Sequence, residues 1–190
     1  MVLSPRKVVV LLSVGALLAL LALAATRPAP AAAMSACKEW GKTTHDQLRN
    51  GQAREAVLCL LNRERDQHGL PALDRNKKLQ KAAQRHNERM DGTGCFSHEC
   101  PGEPALGSRL DDYLNGGLSA WGIGENCAWG TGETGTPEAI VQAWMASPGH
   151  RANILSRDWQ EIGVGFSAGS PTSGNADAGI YTTDFGLRVG

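Results

Sequence analysis

The chain has 190 residues, enough for one domain with a short extension, and its 19 basic and 19 acidic side chains balance. Residues 34–190 alone hold 16 basic and 19 acidic side chains, a net charge of about −3. This mild acidity gives no electrostatic footprint for nucleic acid or for an anionic membrane, so we expect neither as a partner.

The first 33 residues have the composition of a secretory signal peptide. Arg6 and Lys7 form a charged start, residues 8–25 are an apolar run without charge, and residues 28–33 are small or Pro. We expect cleavage after Ala31 or Ala33 and secretion of the mature protein. An uncleaved membrane anchor is the alternative, because an apolar run of 18 residues just suffices to span a bilayer. The small-residue pattern favours cleavage.

Residues 34–54 are polar and weakly patterned, which predicts an extended N-terminal arm ahead of a domain of residues 55–190. Residues 55–68 carry apolar side chains at three- and four-residue steps and are followed by Gly69, the pattern of a helix and its end. A second helix is predicted over residues 76–90, with His86 among the apolar side chains of its inner face.

Residues 95–135 are rich in loop-forming residues, with one or two helical turns expected at residues 108–114. A third helix begins at Thr136-Pro137, a usual pair for a helix start, and Ser147-Pro148 begins a shorter turn. Residues 162–166 and 178–185 predict two strands joined by a polar hairpin loop. Two helices, a loop-rich segment, and then a third helix and two strands indicate an α+β fold. In such a fold, helices cover a small antiparallel sheet.

The chain has five cysteines, so at least one thiol is left unpaired, and fifteen arrangements of two disulfides are open. We predict a Cys37–Cys59 bridge, because it would tie down the N-terminal arm. We also predict a Cys95–Cys100 bridge within one short loop. Cys127 lies among small and apolar residues and is expected to be a buried free thiol. Two bridges agree with export to an oxidising compartment.

Two histidines and one glutamate lie in loops among Gly or Pro residues, where core packing does not require them: His98, Glu125 and His150. Imidazole and carboxylate are ordinary zinc ligands, and three protein ligands leave an open position for water. No short ligand spacing joins the three residues, so the residues alone favour separate hydrogen-bonding roles in their loops.

Other polar residues have simpler interpretations. His86 on the inner helix face is expected to be a structural, hydrogen-bonded core histidine. Glu99 and Glu103 are expected to be solvated loop carboxylates. Ser147 precedes Pro148 as a helix cap, and because the chain has no G-x-S-x-G motif, a serine hydrolase is disfavoured.

Several motifs occur together in one order along the chain. They are Ser97-His98, Gly124-Glu125-Asn126, Ser147-Pro148-Gly149-His150-Arg151 and Ile162-Gly163-Val164-Gly165. Each motif is weak alone, but their order and spacing over residues 55–186 are specific. The chain thereby resembles the CAP superfamily (cysteine-rich secretory proteins, antigen five, pathogenesis-related one) in its short bacterial, SCP-like form.

The resemblance implies a three-layer α-β-α sandwich with a central cavity lined by two histidines and two glutamates. His98, Glu125 and His150 match three of these positions, whereas Ser147 stands at the position of the second glutamate and Asp184 is a candidate replacement. We therefore expect the three matching residues to converge in one solvent-reachable cavity. The implied cofactor is zinc on His98 and His150, with Glu125 as a further candidate ligand. If the three side chains converge and no metal is bound, the nearby carboxylate of Glu125 would favour the protonated form of both imidazoles.

The function implied by the resemblance is that of an extracellular binding module for a lipid, a peptide or a component of the cell envelope. The alternative is a metal-dependent, peptidase-like hydrolase with Glu125 as the base and His98 and His150 on the metal. Because the residue set is incomplete, we favour binding over catalysis. A purely structural envelope protein is a third possibility.

Overall fold

The structure is a computed structural model that describes residues 31–172 and 178–190. The predicted signal peptide therefore falls almost entirely outside the described residues. Within the described part, no helix has both the length and the apolar character needed to span a bilayer.

Seven α-helices and four strands lie within the described ranges. The helices are α1 (Ala31–Trp40), α2 (Asn50–Gln67), α3 (Lys77–Thr93), α4 (Leu106–Arg109), α5 (Asp111–Leu114), α6 (Pro137–Ala146) and α7 (Pro148–Ile154). The strands are β1 (Asp74–Arg75), β2 (Ala120–Thr131), β3 (Glu161–Ala168) and β4 (Ala178–Val189). A 3₁₀ turn (Gly132–Gly135) separates β2 from α6.

The four strands form one sheet in the order β1-β3-β4-β2. β4 pairs antiparallel with both of its neighbours, and its pairing with β2 extends over 12 residue pairs. Only the two-residue β1 pairs parallel, with the start of β3. The predicted α+β fold with a small antiparallel sheet is confirmed, apart from this short parallel strand at one edge.

The two faces of the sheet are covered in different ways. Ile162, Val164 and Phe166 on β3 point into an apolar core that they share with α2, α6 and α7. Gly163 and Gly165 face α3, where a Cβ atom at either position would overlap the helix backbone. The backbone of α3 therefore lies directly on β3, and the result is the expected three-layer α-β-α sandwich.

The chemistry of its ends explains where α3 begins and stops. The side chain of Asn76 accepts a hydrogen bond of 2.8 Å from the backbone nitrogen of Lys78, as an N-cap residue does. Gly94 ends the helix with φ of 63°, a left-handed conformation that glycine adopts without strain. These caps fix the position of α3, which carries His86 toward the sheet.

The segment before residue 55 differs from the expected extended arm. It contains α1, and α2 already begins at Asn50. The Cys37–Cys59 disulfide joins these two helices, as predicted, with 5.5 Å between the Cα atoms. The cross-link holds α1 against α2, so a helix with little internal pattern is supported by a tertiary contact.

The loop-rich segment 95–135 also differs, because its last part is the 12-residue strand β2. Because positions 122, 124 and 130 are glycines, the sequence of β2 lacks the alternation of apolar and polar side chains that predicts a strand. The strand forms nevertheless, because every residue from Ala120 to Thr131 has a partner on β4. The prediction of the Cys95–Cys100 disulfide and the buried free thiol of Cys127 is confirmed.

Candidate functional site

The Gly-Glu-Asn motif lies on β2 and sends side chains to both faces of the sheet. Glu125 is paired with Asp184 on β4 and points toward α3. Asn126 points the other way, where its Nδ2 donates to the backbone oxygen of His150 at 3.1 Å. Asn153 Nδ2 in turn donates to Asn126 Oδ1 at 2.9 Å. The motif thus connects the α3 side of the sheet to α7.

Both oxygens of the Glu125 carboxylate are engaged. Oε1 accepts a 2.8 Å hydrogen bond from His98 Nδ1, and Oε2 lies 2.9 Å from Arg109 Nη2 in an ion pair. Burial alone would raise the pKa of Glu125, but the hydrogen bond from His98 and the charge of Arg109 outweigh it and lower the pKa. Glu125 is therefore ionised at neutral pH.

His98 lies in the loop that the Cys95–Cys100 disulfide closes. Its backbone oxygen accepts a 2.9 Å hydrogen bond from Arg109, while its side chain is 62% exposed. The hydrogen bond to Glu125 raises the pKa of His98. Because this bond uses Nδ1, the other ring nitrogen, Nε2, is the one that a ligand could reach.

His150 on α7 lines a cavity of about 270 Å³ together with Cys127 and Ser147. Phe96, Trp129 and Trp144 form apolar parts of its wall. Burial, followed by the positive charge of His98, lowers the pKa of His150. The expectation of two protonated imidazoles therefore fails for His150, because it is partly buried and repelled by the other imidazole.

A buried polar cluster lies between α3 and β2, and most of its residues carry no recognisable sequence motif. His86 is fully buried, and its Nδ1 lies 2.8 Å and 2.9 Å from the two carboxylate oxygens of Glu103. The expectation that Glu103 is solvated is wrong, because the Pro/Gly-rich loop folds over α3 and leaves its side chain 7% exposed. Glu99 is exposed, as expected.

Arg109 is the residue that connects this cluster, through its contacts with Glu125, Glu103 and the His98 backbone. It is buried on the four-residue helix α4. The sequence feature that indicates the role of Arg109 is a cation placed between Leu106 and Leu110. A charge that is buried in a short apolar segment needs a counterion.

Two further titratable groups face the same region. Asp184 is fully buried, and among the described residues neither of its oxygens has a hydrogen-bond partner. Burial, and then the charge of Glu125, raise the pKa of Asp184 well above its ordinary value. The Cys127 sulfur lies 3.5 Å from Thr182 Oγ1 and 3.9 Å from His98 Nδ1. Burial raises the pKa of the Cys127 thiol, and Glu125 adds to the effect.

Within the described residues, the three predicted residues do not form one metal-ligand group: His150 lines the cavity, whereas His98 and Glu125 are bonded to each other and are not in its wall. Single features of the two histidines are nevertheless compatible with metal binding. His98 has Nδ1 bound to a carboxylate, the arrangement that orients a histidine ligand toward a metal. The lowered pKa keeps His150 neutral near pH 7, the form that binds metal. In addition, His86, Glu125 and Cys127 form a His/Glu/Cys group within the described residues.

Comparison with known proteins agrees with this fold. Residues 58–185 match the cysteine-rich secretory protein family, CAP. The Bacillus subtilis protein YkwD is 39% identical over 110 residues, which is 58% of this chain and 40% of YkwD. The Bacillus subtilis membrane protein YlbC is 31% identical over 113 residues, which is 60% of this chain and 31% of YlbC. The chain thus spans well under half the length of these curated relatives.

Solved structures give the same result. An extracellular protein containing an SCP domain from Bacillus anthracis has 28% identity and a TM-score of 0.59, over 72% of this chain and 40% of that one. An outer surface protein of Borrelia burgdorferi has 18% identity and a TM-score of 0.62, over 74% of this chain and 96% of that one. The second likeness concerns the fold alone.

Proposed function

Because the chain belongs to the cysteine-rich secretory protein (CAP) family, we propose that it is an extracellular binding module. Its His98 and His150 hold a zinc ion beside an apolar cavity that takes a chain of a lipid or a peptide. The observation that carries this proposal is the hydrogen bond from His98 Nδ1 to the buried Glu125, with Cys127, 3.9 Å from His98 Nδ1, in the wall of the cavity that His150 also lines.

The metal part of the proposal rests on the two imidazoles. Glu125 orients His98, and the partly buried His150 stays neutral, so both are prepared to offer a lone pair. When bound, the ion supplies a positive charge that attracts a polar or anionic group of the ligand. Arg109 holds the Glu125 carboxylate and the His98 backbone in place.

The ligand part rests on the cavity. Its volume of about 270 Å³ is close to the lower range of small-molecule sites, and aromatic side chains form much of its wall. Phe96 remains 46% exposed beside it, and an exposed aromatic side chain at a concave apolar surface is typical of a binding site. This supports an apolar chain as the ligand.

Extracellular placement is supported by two disulfides and by similarity to a protein described as extracellular. The hydrolase alternative has less support. A general base works best with a pKa near the operating pH, whereas Arg109 and His98 lower the pKa of Glu125. The low basicity of this carboxylate favours an orienting role.

Zinc titration by calorimetry tests the metal site. The unchanged protein should bind zinc, and His98→Ala and His150→Ala should each lose one site. His68→Ala is the matched control, because His68 is an exposed histidine on a different element, the end of α2. Binding should weaken as the pH falls, because protons compete for His98. Equal binding by all four proteins would refute the metal role.

Fluorescence titration with a long-chain fatty acid tests the cavity, since Trp129 and Trp144 lie in its wall. We expect a saturable change in tryptophan emission and weaker binding by Phe96→Ala. Trp121→Ala serves as control, because Trp121 is exposed and is not among the residues of the cavity wall. If the fatty acid gives no saturable change and an apolar peptide does, the ligand is a peptide; no response to either would reject the binding cavity.

A further inference from the structure

One nitrogen of His86, one oxygen of Glu125 and the sulfur of Cys127 lie within 4.8 Å of one another, and all three side chains are buried. His86 comes from α3, whereas Glu125 and Cys127 are two residues apart on β2 and so point to the same face. We propose that these three residues form a second, inner site for a divalent metal ion, zinc in the first place. The inner site goes beyond the proposed function, because it does not use His150.

The orientation of His86 supports this site. Its Nδ1 is bound by the Glu103 carboxylate, which favours a proton on Nδ1 and leaves the lone pair on Nε2. Among the described residues Nε2 has no hydrogen-bond partner, although it is fully buried and lies 3.9 Å from Glu125 Oε1. A carboxylate behind a histidine whose other nitrogen points at further donors is the usual surrounding of a metal ligand.

The distances are close to those of a metal site. Zinc–nitrogen and zinc–sulfur bonds of about 2.0 and 2.3 Å place tetrahedral ligand atoms roughly 3.3 to 3.7 Å apart. The separation of 3.9 Å between His86 Nε2 and Glu125 Oε1 is slightly longer. The sulfur of Cys127 lies within 4.8 Å of both atoms, so an ion that binds must draw the three donors together.

The charges favour a cation as well. Glu103 and Glu125 are both buried, and Arg109 is the cation that contacts them, with its shorter contact on Glu125 Oε2. Oε1 stays on the side of His86 and Cys127. A divalent ion that binds the Cys127 sulfur would displace the thiol proton to solvent, and its charge would offset the thiolate and the remaining carboxylate charge together. Asp184, directly across the strand pair, would add negative charge when ionised.

Cys127 links the inner site to the cavity already described. Cys127 belongs both to the buried triangle and to the cavity wall that His150 lines. The competing arrangement contains no metal: His86 carries a second proton and forms an ion pair with Glu125 across 3.9 Å. The two arrangements differ in whether the sulfur of Cys127 becomes a ligand.

Cobalt(II) is the probe, because it replaces zinc and shows a near-ultraviolet charge-transfer band only when a thiolate binds it. We expect the unchanged protein and His150→Ala to show this band at the intensity of one thiolate-bound cobalt ion per chain, whether or not the outer site is also filled, and zinc to remove it. Cys127→Ser should lose the band, His86→Gln should lose most of the binding, and Glu103→Gln should bind about 10- to 100-fold more weakly. Circular dichroism verifies that each variant is folded.

Absence of the band in the unchanged protein overturns the inner site, whatever the variants do. The inner site is also overturned if the band survives in Cys127→Ser or if His86→Gln binds at full strength. Loss of the band in His150→Ala would assign the ion to the outer site instead. Because the proposed zinc site is judged by His150→Ala in calorimetry and the inner site by the sulfur band, failure of one is distinguishable from failure of the other.

Discussion

Both faces of the sheet are covered, but they differ in chemistry: the α3 side combines two small apolar clusters with buried charges. On the α2 and α6 side, a continuous apolar core contains Phe166, Tyr181 and Phe185. On the α3 side, His86, Glu103, Arg109, Glu125 and Asp184 are buried together. Apolar burial stabilises a fold by area, whereas buried charges cost desolvation energy that their partners only partly return. The comparison indicates that the α2 and α6 side supplies most of the stability, whereas the α3 side holds the buried charges of the candidate site, apart from His150.

Truncation of the apolar face should give the largest loss of stability. Phe166 is fully buried and packs against Tyr181 with ring centroids 4.9 Å apart. Phe166→Ala should lower the free energy of unfolding by about 3–5 kcal/mol, because it leaves a cavity. Urea unfolding measures this change. Phe96→Ala, which removes a half-exposed ring, should change stability by less than about 0.5 kcal/mol. Similar losses in the two variants would contradict the assignment of the core.

The elements with a regular apolar pattern, on both faces of the sheet, are the part that sequence reasoning could predict. Periodicity and flanking glycines located α2 and α3, and alternation located β3 and β4. β2 could not be found in this way, because its glycines at 122, 124 and 130 remove the alternating pattern and its pairing with β4 decides its conformation. α1 was missed for a related reason, since a disulfide and a neighbouring helix support it.

On the polar face, removal of the cation should have the next largest effect. Arg109→Met leaves Glu103 and Glu125 buried without their guanidinium and should cost about 3 kcal/mol at neutral pH. The loss should shrink near pH 4.5, because the pKa of Glu125 is no longer lowered by Arg109 and the carboxylate of the variant takes up a proton there. Urea unfolding at both pH values checks this, with Arg85→Met on the exposed side of α3 as control. A loss independent of pH would indicate that packing, not charge, is the contribution of Arg109.

Asp184 gives a smaller effect of opposite sign. Its pKa is raised in the folded state, so stability falls as the pH rises above 3.8, its ordinary value. Asp184→Asn cannot ionise, so its stability relative to the unchanged protein should be greater at pH 8 than at pH 4, by on the order of 1 kcal/mol. Denaturant unfolding at the two pH values measures the difference. The control Asp66→Asn, at an exposed position, should show no such pH-dependent difference. If Asp184→Asn also shows no difference between the two pH values, burial does not destabilise the ionised carboxyl group of Asp184.

The residues of the candidate site could be predicted only in part. His98, Glu125 and His150 were recognisable from motifs, because each occurs in a short, distinctive segment. Glu103 and Arg109 have no such motif, and they enter the site because the segment that follows the Cys95–Cys100 disulfide folds over α3. Long-range burial of this kind leaves no periodic trace in a sequence.

The glycine contact between β3 and α3 has a consequence for protein engineering. Since Gly163 and Gly165 let the two backbones touch, main-chain atoms set the spacing between helix and sheet. The separation of positions 86, 125 and 127 is therefore established before any side chain is chosen there. The side chains at these three positions could therefore be replaced by other donor sets while the framework stays the same.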